Sequence, residues 1–245
     1  MTLTESLIIP DWPAPPKVRA IQTTRLGGLS TAPYDSLNFG MHVGDDALTV
    51  AANRNLLNTL VPSEPVWMEQ VHGTAVILAE AAGCAPRADA CITRHANAVC
   101  AVMTADCLPV FLCDDVGTVA GVAHAGWRGL ADGVIEDTII AMDVPTSSMM
   151  AWLGPAIGPQ AFEVGPEVRE VFLRNDPASE FAFNARGDKY LADLYLLARQ
   201  RLLSLGIQRI YGGDFCSYTD TERFFSYRRD GRTGRMASLI WLSPA

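Results

Sequence analysis

The stretch from Ala98 to Cys113 limits this chain more than any other, because it is nearly all apolar yet broken near its middle by Thr104, Asp106 and Pro109. It falls short of the ~20 uninterrupted apolar residues that span a bilayer. Its two halves, Val99 to Met103 and Leu108 to Leu112, have the length and character of strands buried inside a fold. Thr104-Ala-Asp-Cys107 then becomes a polar turn pinned at the end of that buried structure. Loops at strand ends are where a rigid scaffold presents chemistry.

The remaining punctuation is consistent with one domain over residues 1–245, with no repeat or linker. A core of that size needs no staples. Val18 to Thr24 predicts a strand, and Leu48 to Leu60 a helix, with Asp45 and Asp46 placed to cap it. Short strands are expected at Val66 to Glu69 and Thr74 to Ala79. Thr118 to Ala123 predicts a buried strand, His124 to Gly129 a tight loop and Leu130 to Met142 a helix. Met149 to Leu153, Gln208 to Tyr211 and Ala237 to Trp241 predict strands. Pro166 to Arg174 and Tyr190 to Leu205 predict helices, the second ending at Gly206. There is no regular βαβ rhythm and no G-x-G-x-x-G start, so the expected class is α+β, with mixed β-sheets and flanking helices.

Charge narrows the function. A net charge of −8 argues against nucleic-acid partners, which need a basic face. The opening residues lack the basic start and apolar stretch of a secretion signal, so a cytoplasmic protein without membrane attachment is expected. Lys17 and Lys189 are the only lysines, and five arginines (Arg223, Arg228, Arg229, Arg232 and Arg235) crowd the end of the chain. Arginine suits bidentate capture of a small anion. The glycine-flanked Arg25 and Arg128 are further candidates, because exposed backbone N–H groups beside a guanidinium can hold phosphate or carboxylate.

Six cysteines without a C-x-x-C pair form neither a disulfide framework nor a closed zinc knuckle. Histidine is scarce: His42, His72, His95 and His124 are the full set. His72 and His124 lie in predicted loops at strand ends, as does Cys107. Two imidazoles and a thiolate would suit Zn²⁺ or copper, leave a fourth position open and activate water near neutral pH. Equally, Cys107 could be a nucleophile with His124 or His72 as its base, or the three could be unrelated. Spacing alone leaves these readings open. Trp127, Phe215, Tyr218, Phe224, Phe225 and Tyr227 could stack a flat ring or simply fill core.

Several segments together settle on a family. Thr23-Thr-Arg-Leu-Gly-Gly28, Gln70-Val-His-Gly73, Met103-Thr-Ala-Asp-Cys107-Leu-Pro-Val110, His124-Ala-Gly-Trp-Arg-Gly129 and Gly154-Pro-Ala-Ile-Gly158 resemble the YfiH-type laccase-domain proteins. Phe224-Phe-Ser-Tyr-Arg-Arg229 with Thr233-Gly-Arg235 looks like that family's C-terminal pattern. The resemblance implies a fold related to bacterial toxin deamidase domains and a metal held by His72, Cys107 and His124, which would also be the catalytic residues. His42 and His95 fall outside that set.

Three activities attach to such proteins: polyphenol oxidation, purine nucleoside phosphorolysis with adenosine deamination, and peptidoglycan editing. Four histidines are too few for a multicopper laccase mechanism, although a lone copper could oxidise phenols weakly. The leading expectation is a zinc-dependent purine nucleoside enzyme that takes a nucleoside and phosphate. It would phosphorolyse adenosine, inosine and methylthioadenosine and deaminate adenosine. Arg25 and Arg228 would hold phosphate, Gln70 would be a further substrate contact, and Asp106 or Glu69 would shuttle protons. The alternatives are a copper-dependent polyphenol oxidase, a cysteine or metallo amide hydrolase editing peptidoglycan precursors, and a metal-storage protein. Storage fits an open three-ligand site poorly.

Overall fold

A computed structural model describes residues 3–244. In chain order the first half contains β1 (Val18–Gln22), α1 (Ala47–Leu57), β2 (Val76–Leu78), β3 (Ala90–Thr93), β4 (Cys100–Thr104), β5 (Leu108–Asp114) and β6 (Ala120–Ala125). Then follow α2 (Trp127–Asp132), α3 (Val134–Met142), β7 (Met149–Leu153), β8 (Glu163–Val164), α4 (Pro166–Asn175), β9 (Phe183–Arg186) and β10 (Lys189–Ala192). α5 (Leu194–Ser204), β11 (Arg209–Gly212), α6 (Tyr227–Asp230) and β12 (Met236–Leu242) complete the chain.

The central sheet has six strands in the order β11-β7-β5-β6-β3-β2, antiparallel except for the parallel pairs at its two edges. A second, antiparallel sheet runs β1-β12-β4, and a small third sheet runs β8-β10-β9. Side chains alternate along β5. Leu108, Val110 and Leu112 join a core with Leu130, Val134 and Ile135 of the helices. Phe111 and Cys113 face the other way, into a core with Cys100, Val102 and Ile240 of the second sheet. The central sheet is thus covered on both faces, which is why its strands read as unbroken apolar runs. The fold is α+β with mixed sheets and helices, as expected.

Four local expectations differ from the structure. β6 keeps His124 and Ala125 within the strand, and α2 starts at Trp127, so no loop spans His124–Gly129. Small residues at 123, 125 and 126 let the strand run directly into the helix. The helix expected over Leu130–Met142 is divided at Gly133, whose φ of +104° ends α2 and starts α3. The run Tyr190–Leu205 is a strand followed by a helix, because Asp193 accepts from Leu196 N–H (3.0 Å) and caps α5. That helix does end as expected: Gly206 N–H donates to the Leu203 carbonyl and Ile207 N–H to the Leu202 carbonyl, with Gly206 at φ +89°. Val66 to Glu69 makes only isolated bridges. Among the described residues no helix is long and apolar enough to cross a membrane.

Candidate metal centre

Each of the three residues is set by a different device. Cys107 stands immediately before β5, after Asp106 in a left-handed conformation (φ +89°). The Asp106 carboxylate accepts from the Ser217 hydroxyl (2.6 Å) and from Arg228 N–H (2.7 Å), and its carbonyl accepts from Ile157 N–H (2.9 Å). These bonds lock the turn that aims Cys107. His124 lies on β6 opposite Pro109 of β5. His72 is in the loop before β2, also left-handed at φ +60°. Gln70 anchors that loop, donating to the Met103 carbonyl (2.8 Å) and accepting from Met103 N–H (2.7 Å).

Asp89, fully buried immediately before β3, organises the centre. Its carboxylate accepts from the N–H groups of Val71 (3.1 Å), His72 (2.9 Å) and Gly73 (2.8 Å). It also accepts from His124 Nδ1 (2.8 Å), which leaves Nε2 as the free nitrogen of that ring. One carboxylate therefore holds both histidines. Nothing in the spacing of His72, Cys107 and His124 indicated it; the signal was a lone charge entering the apolar run Ala88 to Ile92.

The ligand atoms of His72, Cys107 and His124 all lie within 4.8 Å of one another, with Cys107 Sγ 3.8 Å from His72 Nε2. Tetrahedral donors about 2.0–2.3 Å from zinc stand about 3.3–3.8 Å apart, so the set needs little movement to close on such an ion. Burial opposes ionisation of Cys107, but the charge and hydrogen bonds of His124 and then His72 outweigh it and bring the pKa to about 6. Burial likewise opposes protonation of His124, yet the Cys107 thiolate and the bond to Asp89 raise its pKa to about 9. For Asp89, burial is outweighed by the bonds from His124 and Gly73, and the carboxyl stays below its usual range. Without an ion the cluster is a thiolate–imidazolium pair. A divalent cation would replace the shared proton, and the donor chemistry fits one.

The cluster forms one wall of a cavity of about 580 Å³. Gly126 makes the approach possible: a Cβ there would lie 2.8 Å from His72 Cδ2 and 3.1 Å from Cys107 Sγ. Gln70 and Glu69 line the cavity, as do His42, Tyr227 and Arg235. Arg25 and Arg228, expected to hold phosphate, do not. Arg25 donates to the Asp35 carbonyl (2.8 Å) and pairs with its carboxylate (3.2 Å), and its guanidinium lies over Phe225. Arg228 donates to the Glu163 carbonyl (2.7 Å) beside Phe162. Gln70 has both amide atoms on Met103, and Asp106 has both carboxylate oxygens engaged, so these two brace the site from behind. Glu69 faces Arg87 at 3.6 Å. Among the described residues only His72, Cys107 and His124 group as metal ligands.

A mixed-sheet α+β scaffold thus brings one His-Cys-His cluster, a donor set that suits a metal ion, to the wall of an open cavity. The chain belongs to the family described as multi-copper polyphenol oxidoreductase laccase, whose model matches residues 19–243. It is 55% identical over 239 residues to the purine nucleoside phosphorylase YfiH of Escherichia coli (strain K12), spanning 96% of this chain and 98% of that protein. It is 50% identical to the purine nucleoside phosphorylase PA4543 of Pseudomonas aeruginosa, with the same coverage. The structure superposes on the crystal structure of Neisseria meningitidis protein NMB0706 with a TM-score of 0.96 at 50% identity, covering 98% of this chain and 100% of that one. YlmD of Geobacillus stearothermophilus gives a TM-score of 0.86 at 32% identity, with 94% and 93% covered.

Proposed function

We propose that the chain is a zinc-dependent purine nucleoside phosphorylase acting on adenosine, inosine and methylthioadenosine. An oxygen of inorganic phosphate bonds to C1′ as the C1′–N9 bond breaks. The electron pair leaves with the purine, which takes up a proton, and the products are the free base and the sugar 1-phosphate. The reading is carried by the convergence of His72, Cys107 and His124 on a cavity of about 580 Å³, the size of a small-molecule site. It is supported by the names of the relatives at 50% and 55% identity.

Zinc is favoured over copper because group transfer needs no change of valence and two imidazoles with a thiolate suit it. When bound, the ion supplies Lewis acidity to the substrate atom it touches. The protein's own residues do the positioning. Asp89 fixes the rotation of the His124 ring and, through the His72 backbone N–H, the loop that carries His72. Met68, Met103 and Ala105 supply an apolar wall, and Tyr227 a ring face, against which a flat base can lie.

Deamination of adenosine is a second reading, in which water replaces the C6 amino group and ammonia leaves. Glu69 on the cavity wall favours it, since zinc deaminases pair their His/Cys ligands with a non-ligating Glu. The test compares the wild type with His72→Ala, Cys107→Ala and His124→Ala on these nucleosides, with and without phosphate. Base release that requires phosphate and falls to background in all three variants is expected. Inosine formed from adenosine without phosphate would establish deamination. Equal rates in all four proteins would overturn both readings. Amino-acid release from peptidoglycan precursors without purine turnover would put an amide hydrolase in their place.

A further inference from the structure

A half-buried guanidinium without an acidic partner is costly unless something else balances it. Arg235 is in that position, on the cavity wall of a protein whose net charge is −8. Its Nη1 donates to the carbonyls of Thr233 (3.1 Å) and Gly234 (3.0 Å). Among the described residues its Nε and Nη2 find no acceptor and its guanidinium forms no ion pair. The side chain is held in place by close packing on Gly40, where a Cβ would come within 2.9 Å of Arg235 Cγ.

Two neighbours add to this. Thr104, at the end of β4, also lines the cavity; it is 1% exposed, and its buried hydroxyl has no hydrogen-bond partner among the described residues. A buried hydroxyl left unpaired is destabilising, and a ligand in the cavity could pair it. His42 lines the same cavity, and burial, then the charges of Arg235 and Arg54, lower the pKa of its imidazole. Arg54 itself is stacked on Trp67 (4.2 Å) and also has no ion pair among the described residues. His42 therefore lies beside two cations in an acidic protein, and with Arg235 and Thr104 it offers N–H and O–H donors to a cavity whose lining also includes Glu69 and Cys107. A tetrahedral oxyanion matches that set.

We propose that Arg235, the Thr104 hydroxyl and the His42 imidazole form an oxyanion subsite that binds inorganic phosphate in the cavity of the metal centre. Its role in turnover rests on the phosphorolysis reading; its existence does not. The subsite replaces Arg25 and Arg228, whose guanidinium groups are committed elsewhere.

Two measurements on the zinc-loaded protein test it. In steady-state phosphorolysis, Arg235→Met should raise KM for phosphate by about ten- to a hundredfold, the loss expected for a charge-assisted pair. KM for the nucleoside should stay within about twofold. Arg235→Lys should recover part of the loss, and Thr104→Val, which conserves volume, should raise KM for phosphate about two- to tenfold. Independently of turnover, calorimetric titration with phosphate should show binding to the wild type that sulfate competes for and acetate does not, and that Arg235→Met abolishes. Unchanged phosphate binding in Arg235→Met and Thr104→Val, with native circular dichroism, would overturn the subsite. A wild type that binds phosphate through Arg235 but releases no base would uphold the subsite and overturn the phosphorolysis reading.

Discussion

At the scale of single residues, Asp89 has the largest share in the centre without being one of its ligands. Four donors converge on its two oxygens, three from the loop of His72 and one from the ring of His124. Asp89→Asn puts an NH₂ group where an oxygen accepted, so either the loop or the imidazole loses its partner. Metal affinity should fall by about 10–100-fold, as for other outer-shell partners. Competition against a chromophoric chelator measures it, and unchanged affinity would remove Asp89 from the account. His72, Cys107 and His124 were recognisable in the sequence by residue type and by the motifs around them. Asp89 was not, because its role is made by backbone donors that have no sequence identity. Arg235 was visible only as one arginine in a cluster of five: Arg223 and Arg229 pair with the sequence-local Asp220 and Asp230, whereas it is the fold that places Arg235 on the cavity wall.

At the scale of elements, the step from β6 through α2 to α3 decides how closely the His124 strand approaches the His72 loop. Gly129 leaves no space for a side chain, since a Cβ would lie 2.8 Å from the Gly73 carbonyl oxygen. Gly133 has space, with its nearest neighbour at 3.7 Å, but holds a φ of +104°. Gly133→Ala therefore incurs the left-handed backbone penalty without a clash, about 1–2 kcal/mol. The melting temperature should drop by about 2–8 °C with the metal affinity retained. A variant that melts with the wild type would show that the bend between α2 and α3 is not strained by a side chain. Strands β4, β5 and β7 were legible because burial on both faces writes an unbroken apolar run. β8, β9 and β10 were not, since two- to four-residue strands have too few positions to show a period.

At the scale of the whole molecule, the core and the metal centre are separable. The two largest apolar clusters lie on either face of the central sheet and owe nothing to an ion. Chelation should thus leave the far-ultraviolet circular dichroism unchanged, unlike a zinc finger. It should lower the melting temperature by about 5–10 °C relative to protein with metal at a hundred times Kd. In the stripped protein Cys107, with its pKa near 6, should alkylate at neutral pH. Cys113 should not, as burial first and the charge of Asp114 next push its thiol up to about 12. Added zinc should suppress the reaction at Cys107. Unfolding on chelation, or alkylation insensitive to zinc, would contradict this separation.

The order of residues determined, without help from tertiary contacts, that the chain has a mixed α+β core and carries three soft donors at the ends of buried strands. Both are local matters of hydropathy, turn chemistry and residue type. Only the folded structure decided that those donors meet, that a distant carboxylate orients two of them, and which arginine lines the cavity. Those outcomes depend on strand register and on which charges find partners across tens of residues of chain, and distances through space are not written in separations along it.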